Sequence, residues 1–125
     1  KIGCRKGSIP NLNTISWANK INKKIKINHN PLQVSEGADC VITDTWQSMG
    51  DEVSVSEEIY LPFQVNKNIM RQAKDNAIFM HCLPAYRDKE VSSEVLEGKQ
   101  SVVFDEAENR LHAQKAIMHF CLNSN

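Results

Sequence analysis

The sequence has 125 residues, 41% of them hydrophobic and 24% charged, enough to bury the core of one domain but not of two. Fifteen basic residues balance fifteen acidic ones, so charge makes no case for nucleic acid or an anionic membrane as the partner. No apolar run approaches the roughly 18 residues of a membrane span, and the composition is too apolar for a disordered chain.

The chain opens on Lys1-Ile-Gly-Cys, with neither an initiator methionine nor the apolar region of a signal peptide. A domain cut from a longer protein would begin this way. After the turn-rich Arg5–Asn11, Asn13 reads as the N-cap of a helix over 14–25. Ile15, Ala18, Ile21 and Ile25 give that helix one apolar stripe. Lys20, Lys23 and Lys24 fall mostly off it, as a solvated face near a helix C-terminus should. A short extended piece at 25–28 and one helical turn at 31–36 follow.

Three apolar runs then read as strands: Cys40-Val-Ile-Thr43, Ala77-Ile-Phe-Met80 and Ser101-Val-Val-Phe104. None alternates cleanly, which predicts strands covered on both faces. Helical stretches are predicted between them at 51–60, 66–74 and 92–97, and a longer helix at 106–121. Such alternation implies βαβ units, a mostly parallel sheet and an α/β fold class, with helices flanking the sheet.

Reactive residues follow each run. Asp44-Thr-Trp-Gln-Ser-Met-Gly50 follows the first, His81-Cys-Leu-Pro-Ala-Tyr-Arg87 the second, and Asp105-Glu-Ala-Glu-Asn-Arg110 the third. In an open parallel sheet, ligands bind outside the carboxyl ends of the strands. Each cluster also has an ordinary reading. Asp44 could cap a turn, Cys82 could be a small buried hydrophobe, and Arg110 could pair with Glu106 one helical turn away. The four cysteines stand far apart without a C-x-x-C pair and read as free thiols of a reducing compartment. His29, His112 and His119 have no metal-site spacing, and no metal is assigned.

Taken together, Asp-Thr-Trp-x-Ser-Met-Gly, His-Cys-Leu-Pro-Ala and Phe-Asp-Glu-Ala-Glu-Asn-Arg resemble the ornithine carbamoyltransferases, and specifically their second, ornithine-binding domain. The likeness runs from Gly7-Ser-Ile-Pro-Asn11 to Cys121, with the motifs in the family's order. It implies a three-layer Rossmann-like domain spanning 1–125, with the carbamoyl-phosphate domain and its Ser-x-Arg-Thr loop absent. The segment between Gly3 and Gly7 is several residues short of the family's strand, and Val53 to Leu61 is slightly shortened.

By that resemblance, the complete enzyme transfers the carbamoyl group of carbamoyl phosphate to L-ornithine. Asp44 would hold the α-ammonium of ornithine, with Ser48 and Met49 lining its site on a loop that Gly50 lets close. Cys82 would lie beside the δ-amine and the carbamoyl group. The main-chain groups of Cys82 and Leu83, with Arg110, would contact the carbamoyl oxygen, and Pro84 would fix the turn through a cis peptide bond. The catalytic set is thus Cys82, Arg110 and Asp44. The resemblance further implies no cofactor and a homotrimer in the cytoplasm, or in the mitochondrial matrix of a eukaryote. The apolar face of the last helix (Ala107, Leu111, Ala113, Ile117, Met118, Phe120) would turn toward the first domain. Two other readings stand beside this one: a sister transcarbamylase using putrescine or an acylated ornithine, and a non-catalytic α/β amino-acid-binding module.

Overall fold

A computed structural model describes residues 1–22, 24–47 and 56–123. Strand β1 (Ile2–Gly3) leads to helix α1 (Leu12–Ile21), strand β2 (Ile27–Asn28) and helix α2 (Pro31–Ser35). Strand β3 (Cys40–Thr43) follows, then two 3₁₀ turns at Glu57–Ile59 and Leu61–Phe63 and helix α3 (Lys67–Met70). Strand β4 (Ile78–His81), helix α4 (Ser93–Leu96) and helix α5 (Val103–Asn123) complete the chain. The predicted α/β class with parallel pairing is present. Its sheet comes in two pieces, β1 with β2 and β3 with β4, both parallel.

The β3–β4 pair is in full register, from Cys40 opposite Ile78 to Thr43 opposite His81. Main-chain bonds clamp its start: Lys74 N–H donates to the Ala38 carbonyl at 3.0 Å and Ile78 N–H to that of Asp39 at 3.1 Å. The core lies on one side of this pair. Phe79 projects from β4 into Val65, Ile69, Met70, Val91, Val95, Leu96 and Val103, all buried, and Val41 of β3 leans on the same cluster. Each such side chain contributes about 1.5–3 kcal/mol by leaving water. Val65 and Val91 join the core through a parallel bridge.

Several expectations need correction. The 101–104 run is not a strand. Ser101 makes a single bridge to Phe79, and α5 has begun by Val103, with Asp105 and Glu106 in its first turn, where acidic groups suit the helix dipole. Strand β3 is not covered on both faces, since Ile42 is 67% exposed. Helix α1 starts two residues early because Asn11, not Asn13, caps it, accepting from the N–H groups of Asn13 and Thr14. It stops at Ile21, where extended Asn22 turns the chain out, so Ile25 lies outside it. The helix predicted at 66–74 keeps only one turn, Lys67–Met70; of that at 51–60, the first half lies outside the described residues and the second holds only the 3₁₀ turn Glu57–Ile59. Strand β1, as the short Gly3–Gly7 segment implied, is only two residues long. No helix among the described residues is long and apolar enough to cross a membrane.

Candidate active site

Because β3 and β4 run parallel and end together at Thr43 and His81, the next residues leave the sheet side by side. Those residues are Asp44 and Cys82. The Cys82 thiol donates to Asp44 Oδ1 at 3.3 Å, and the same oxygen accepts from the N–H of Thr45 at 2.7 Å. Both side chains are exposed. The Thr45 N–H, seconded by the thiol, holds the Asp44 carboxyl below its ordinary range. The hydrogen bond to Asp44, with burial and the carboxylate's charge, pushes the Cys82 thiol up. The pair is therefore an ionised acceptor and a protonated donor at neutral pH. A thiol so held is a poor covalent nucleophile and a good directional contact.

His81 fixes the turn from beneath. Its ring is fully buried, and Nδ1 accepts from the Leu83 N–H at 2.9 Å. That contact assigns the proton to Nε2, which lies 3.3 Å from Glu90 Oε1. The alignment there falls short of a formed hydrogen bond. Glu90, 1% exposed, also accepts from the Tyr86 N–H at 2.6 Å. From the other side, Glu106 Oε2 accepts from the His81 N–H at 3.0 Å. Leu83 adopts φ +54° before a cis Leu83–Pro84 bond, with its side chain against the core. The cis bond is as expected. The Leu83 N–H is committed to His81, so what this residue can offer a ligand is its carbonyl.

Arg110 departs from the expected arrangement. With no third strand, it sits in α5 one helical turn beyond Glu106, roughly 6 Å farther along the axis. It is exposed and, among the described residues, forms no ion pair with Glu106 or any other group. Asp44 and Cys82 are brought together; Arg110 is not in contact with them. Ser48, Met49 and Gly50 lie outside the described residues. Before them, Trp46 stacks on Tyr60 with ring centroids 5.8 Å apart.

Glu90, Glu106 and the His81 ring are the site-supporting groups that sequence reasoning missed. Glu106 had been read only as a partner for Arg110 one helical turn away, and nothing local singles out Glu90. Asp44, His81 and Cys82 also place one ligand atom each within 4.8 Å of one another, which would admit a metal ion. The imidazole nitrogens there already face Leu83 and Glu90.

Comparison with known proteins identifies the family. Residues 1–121 match the family described as "Aspartate/ornithine carbamoyltransferase, Asp/Orn binding domain". The chain belongs to the aspartate/ornithine carbamoyltransferase family. The ornithine carbamoyltransferase of Brucella abortus (strain 2308) is 52% identical over 122 residues, covering 97% of this chain and 39% of that protein. Among solved structures, the ornithine carbamoyltransferase from Pyrococcus furiosus matches with a TM-score of 0.82 at 43% identity, covering 90% of this chain and 38% of that one. The anabolic ornithine carbamoyltransferase from Campylobacter jejuni subsp. jejuni matches with a TM-score of 0.86 at 36% identity, covering 98% and 43%. This carbamoyltransferase-family chain thus spans about two fifths of the length of these relatives.

Proposed function

We propose that this chain is the acceptor-binding half of a transferase that moves the carbamoyl group of carbamoyl phosphate to the δ-amine of L-ornithine, giving citrulline and phosphate. The observation that carries the reading is the Asp44–Cys82 contact at the shared end of β3 and β4, in a chain 52% identical to a protein named ornithine carbamoyltransferase.

In this reading Asp44, ionised by its Thr45 contact, receives the α-ammonium, and Ser48 and Met49 line the rest of the acceptor site. The neutral δ-amine attacks the carbamoyl carbon. The carbonyl π electrons move to its oxygen, then return as the C–O bond to phosphate breaks. The amine loses one proton to the departing phosphate. Cys82 and the Leu83 carbonyl orient the carbamoyl group, and Arg110 reaches back along α5 to its oxygen. A positioned oxyanion donor is typically worth about 3–4 kcal/mol in the transition state. The turn that aims these groups is held by His81 and Glu106. The sequence holds no Ser-x-Arg-Thr loop, and this reading gives the phosphate to a separate carbamoyl-phosphate domain. The complete enzyme is, on the same reading, a cofactor-free cytoplasmic homotrimer.

Citrulline formation tests this. The isolated 125-residue chain should give none, and adding a carbamoyl-phosphate-binding domain should restore turnover with ornithine in preference to putrescine. Robust turnover by the isolated chain, or preference for putrescine, contradicts the reading.

A further inference from the structure

Glu90 takes no part in the reaction as set out above, yet it is the one buried acid among the described residues. Main-chain bonds hold it to the core. The Val65 N–H donates to the Glu90 carbonyl at 2.8 Å and the Ser92 N–H to that of Val65 at 3.0 Å, on either side of fully buried Val91. The neighbouring Lys89 reaches outward, donating to Glu57 Oε1 at 2.6 Å. The Glu90 side chain therefore rises from a fixed post.

One oxygen of that side chain faces two groups. Oε1 accepts from the Tyr86 N–H at 2.6 Å and lies 3.3 Å from His81 Nε2. Residues 81 and 86 bracket the turn that carries Cys82 and Leu83, so a single atom faces both of its ends. On the opposite edge of the His81 ring, Nδ1 lies 2.9 Å from the Leu83 N. A neutral imidazole has one donor nitrogen and one acceptor nitrogen. With the proton on Nε2, Nδ1 accepts from Leu83 and the Nε2–H meets an acceptor oxygen. With the proton on Nδ1, donor would face donor at Leu83 and lone pair would face oxygen at Glu90. Both neighbours thus select the same tautomer, and no hydrogen bond from another described residue satisfies Nε2. A buried N–H left without an acceptor is costly, so Glu90 is what makes this arrangement of the ring favourable.

We propose that Glu90 is a positioning residue for carbamoyl transfer. By facing the His81 Nε2–H and the Tyr86 N–H at once, it keeps the Leu83 N–H on Nδ1, which leaves the Leu83 carbonyl and the Cys82 thiol to orient the carbamoyl group. The proposal rests on the proposed function and adds to it a residue that touches no substrate. What Glu90 supplies is an acceptor oxygen at a fixed place, so Gln should replace it and a shortened side chain should not.

Steady-state kinetics of the chain combined with a carbamoyl-phosphate-binding domain, with kcat and KM read separately, tests this. Glu90→Ala should lower kcat by about 10- to 100-fold and leave KM for L-ornithine within about three-fold of wild type. Glu90→Gln should keep kcat within about three-fold of wild type. If Glu90→Ala fails to fold, Glu90→Asp takes its place, because its carboxyl stops one methylene short of both N–H groups. Nitrogen NMR of isotope-labelled histidine in the same combined protein reads the His81 tautomer: Nε2–H in wild type and Glu90→Gln, a mixture in the truncated variant. An unchanged kcat in the truncated variant, a change in KM in its place, an equal loss in Glu90→Gln or an unchanged tautomer overturns the role of Glu90. Absence of citrulline with the wild type overturns the proposed function and, with it, that role; wild-type turnover that the truncated variant retains overturns the role alone.

Discussion

The carboxylate of Glu106 accepts a hydrogen bond from the main-chain N–H of His81 at 3.0 Å, which ties the first turn of α5 to the last residue of β4. One contact thereby couples the helix carrying Arg110 to the turn carrying Cys82. Glu106→Ala leaves that N–H without its acceptor. A hydrogen bond to a charged group contributes about 1.5–3 kcal/mol, so urea unfolding of Glu106→Ala should show a loss of that size. Glu106→Gln, which keeps an acceptor, should lose less. Equal stability of Glu106→Ala and wild type would mean that the contact does not hold the helix.

The Asp44–Cys82 contact predicts thiol reactivity. Hydrogen bonding to Asp44 raises the Cys82 pKa, so its alkylation by iodoacetamide should rise with pH at a midpoint above the ordinary cysteine value of about 8.5. Asp44→Ala should move the midpoint down and speed modification at pH 8, followed peptide by peptide by mass spectrometry. The stability linkage has two signs. Asp44, with its pKa lowered, stabilises the fold above the ordinary carboxylate range, and that contribution disappears as pH falls through its folded value. Cys82, with its pKa raised, stabilises the fold below the ordinary thiol pKa, and its contribution is lost as pH rises through the folded value. An unchanged alkylation profile in Asp44→Ala contradicts the contact.

Core and surface of the β3–β4 pair should respond differently. Phe79 is fully buried and Ile42 is 67% exposed. Phe79→Ala should cost about 3–5 kcal/mol, whereas Ile42→Thr should stay within about 0.5 kcal/mol. Thermal unfolding of the two variants checks this, and a large loss at Ile42 would place a covering element on the outer face of β3.

Local pattern made part of this legible. Cys40–Thr43 was predicted with its observed bounds, and Ile78–His81 with a shift of one residue, because short β-branched and aromatic runs bounded by turn signals suit strands. Asp44 and Cys82 were placed together because two parallel strands of equal register end at one edge. The same pattern misled at 101–104. Val102 and Val103 favour a strand, yet the acids at 105 and 106 and the Glu106–His81 contact draw the segment into a helix. That loss of a strand also moves Arg110 away from the sheet edge. Glu90 was illegible for a different reason: its partners, the Tyr86 N–H and the buried His81 ring, reach it from the turn after β4, a tertiary fact with no sequence period. Likewise, a near-continuous apolar run cannot say whether both faces of β3 are covered.

The central claim is that Asp44 receives the α-ammonium of the acceptor. The most direct measurement is kcat/KM of the chain combined with a carbamoyl-phosphate-binding domain, for wild type and Asp44→Asn, with L-ornithine and 5-aminopentanoate as acceptors. Asn preserves the size and removes the charge. With a charged hydrogen bond contributing about 1.5–3 kcal/mol, the value for L-ornithine should fall by about 10- to 150-fold. The slow reaction of 5-aminopentanoate should change far less. Equal losses for both acceptors would contradict the account and leave Asp44 as a turn-capping residue.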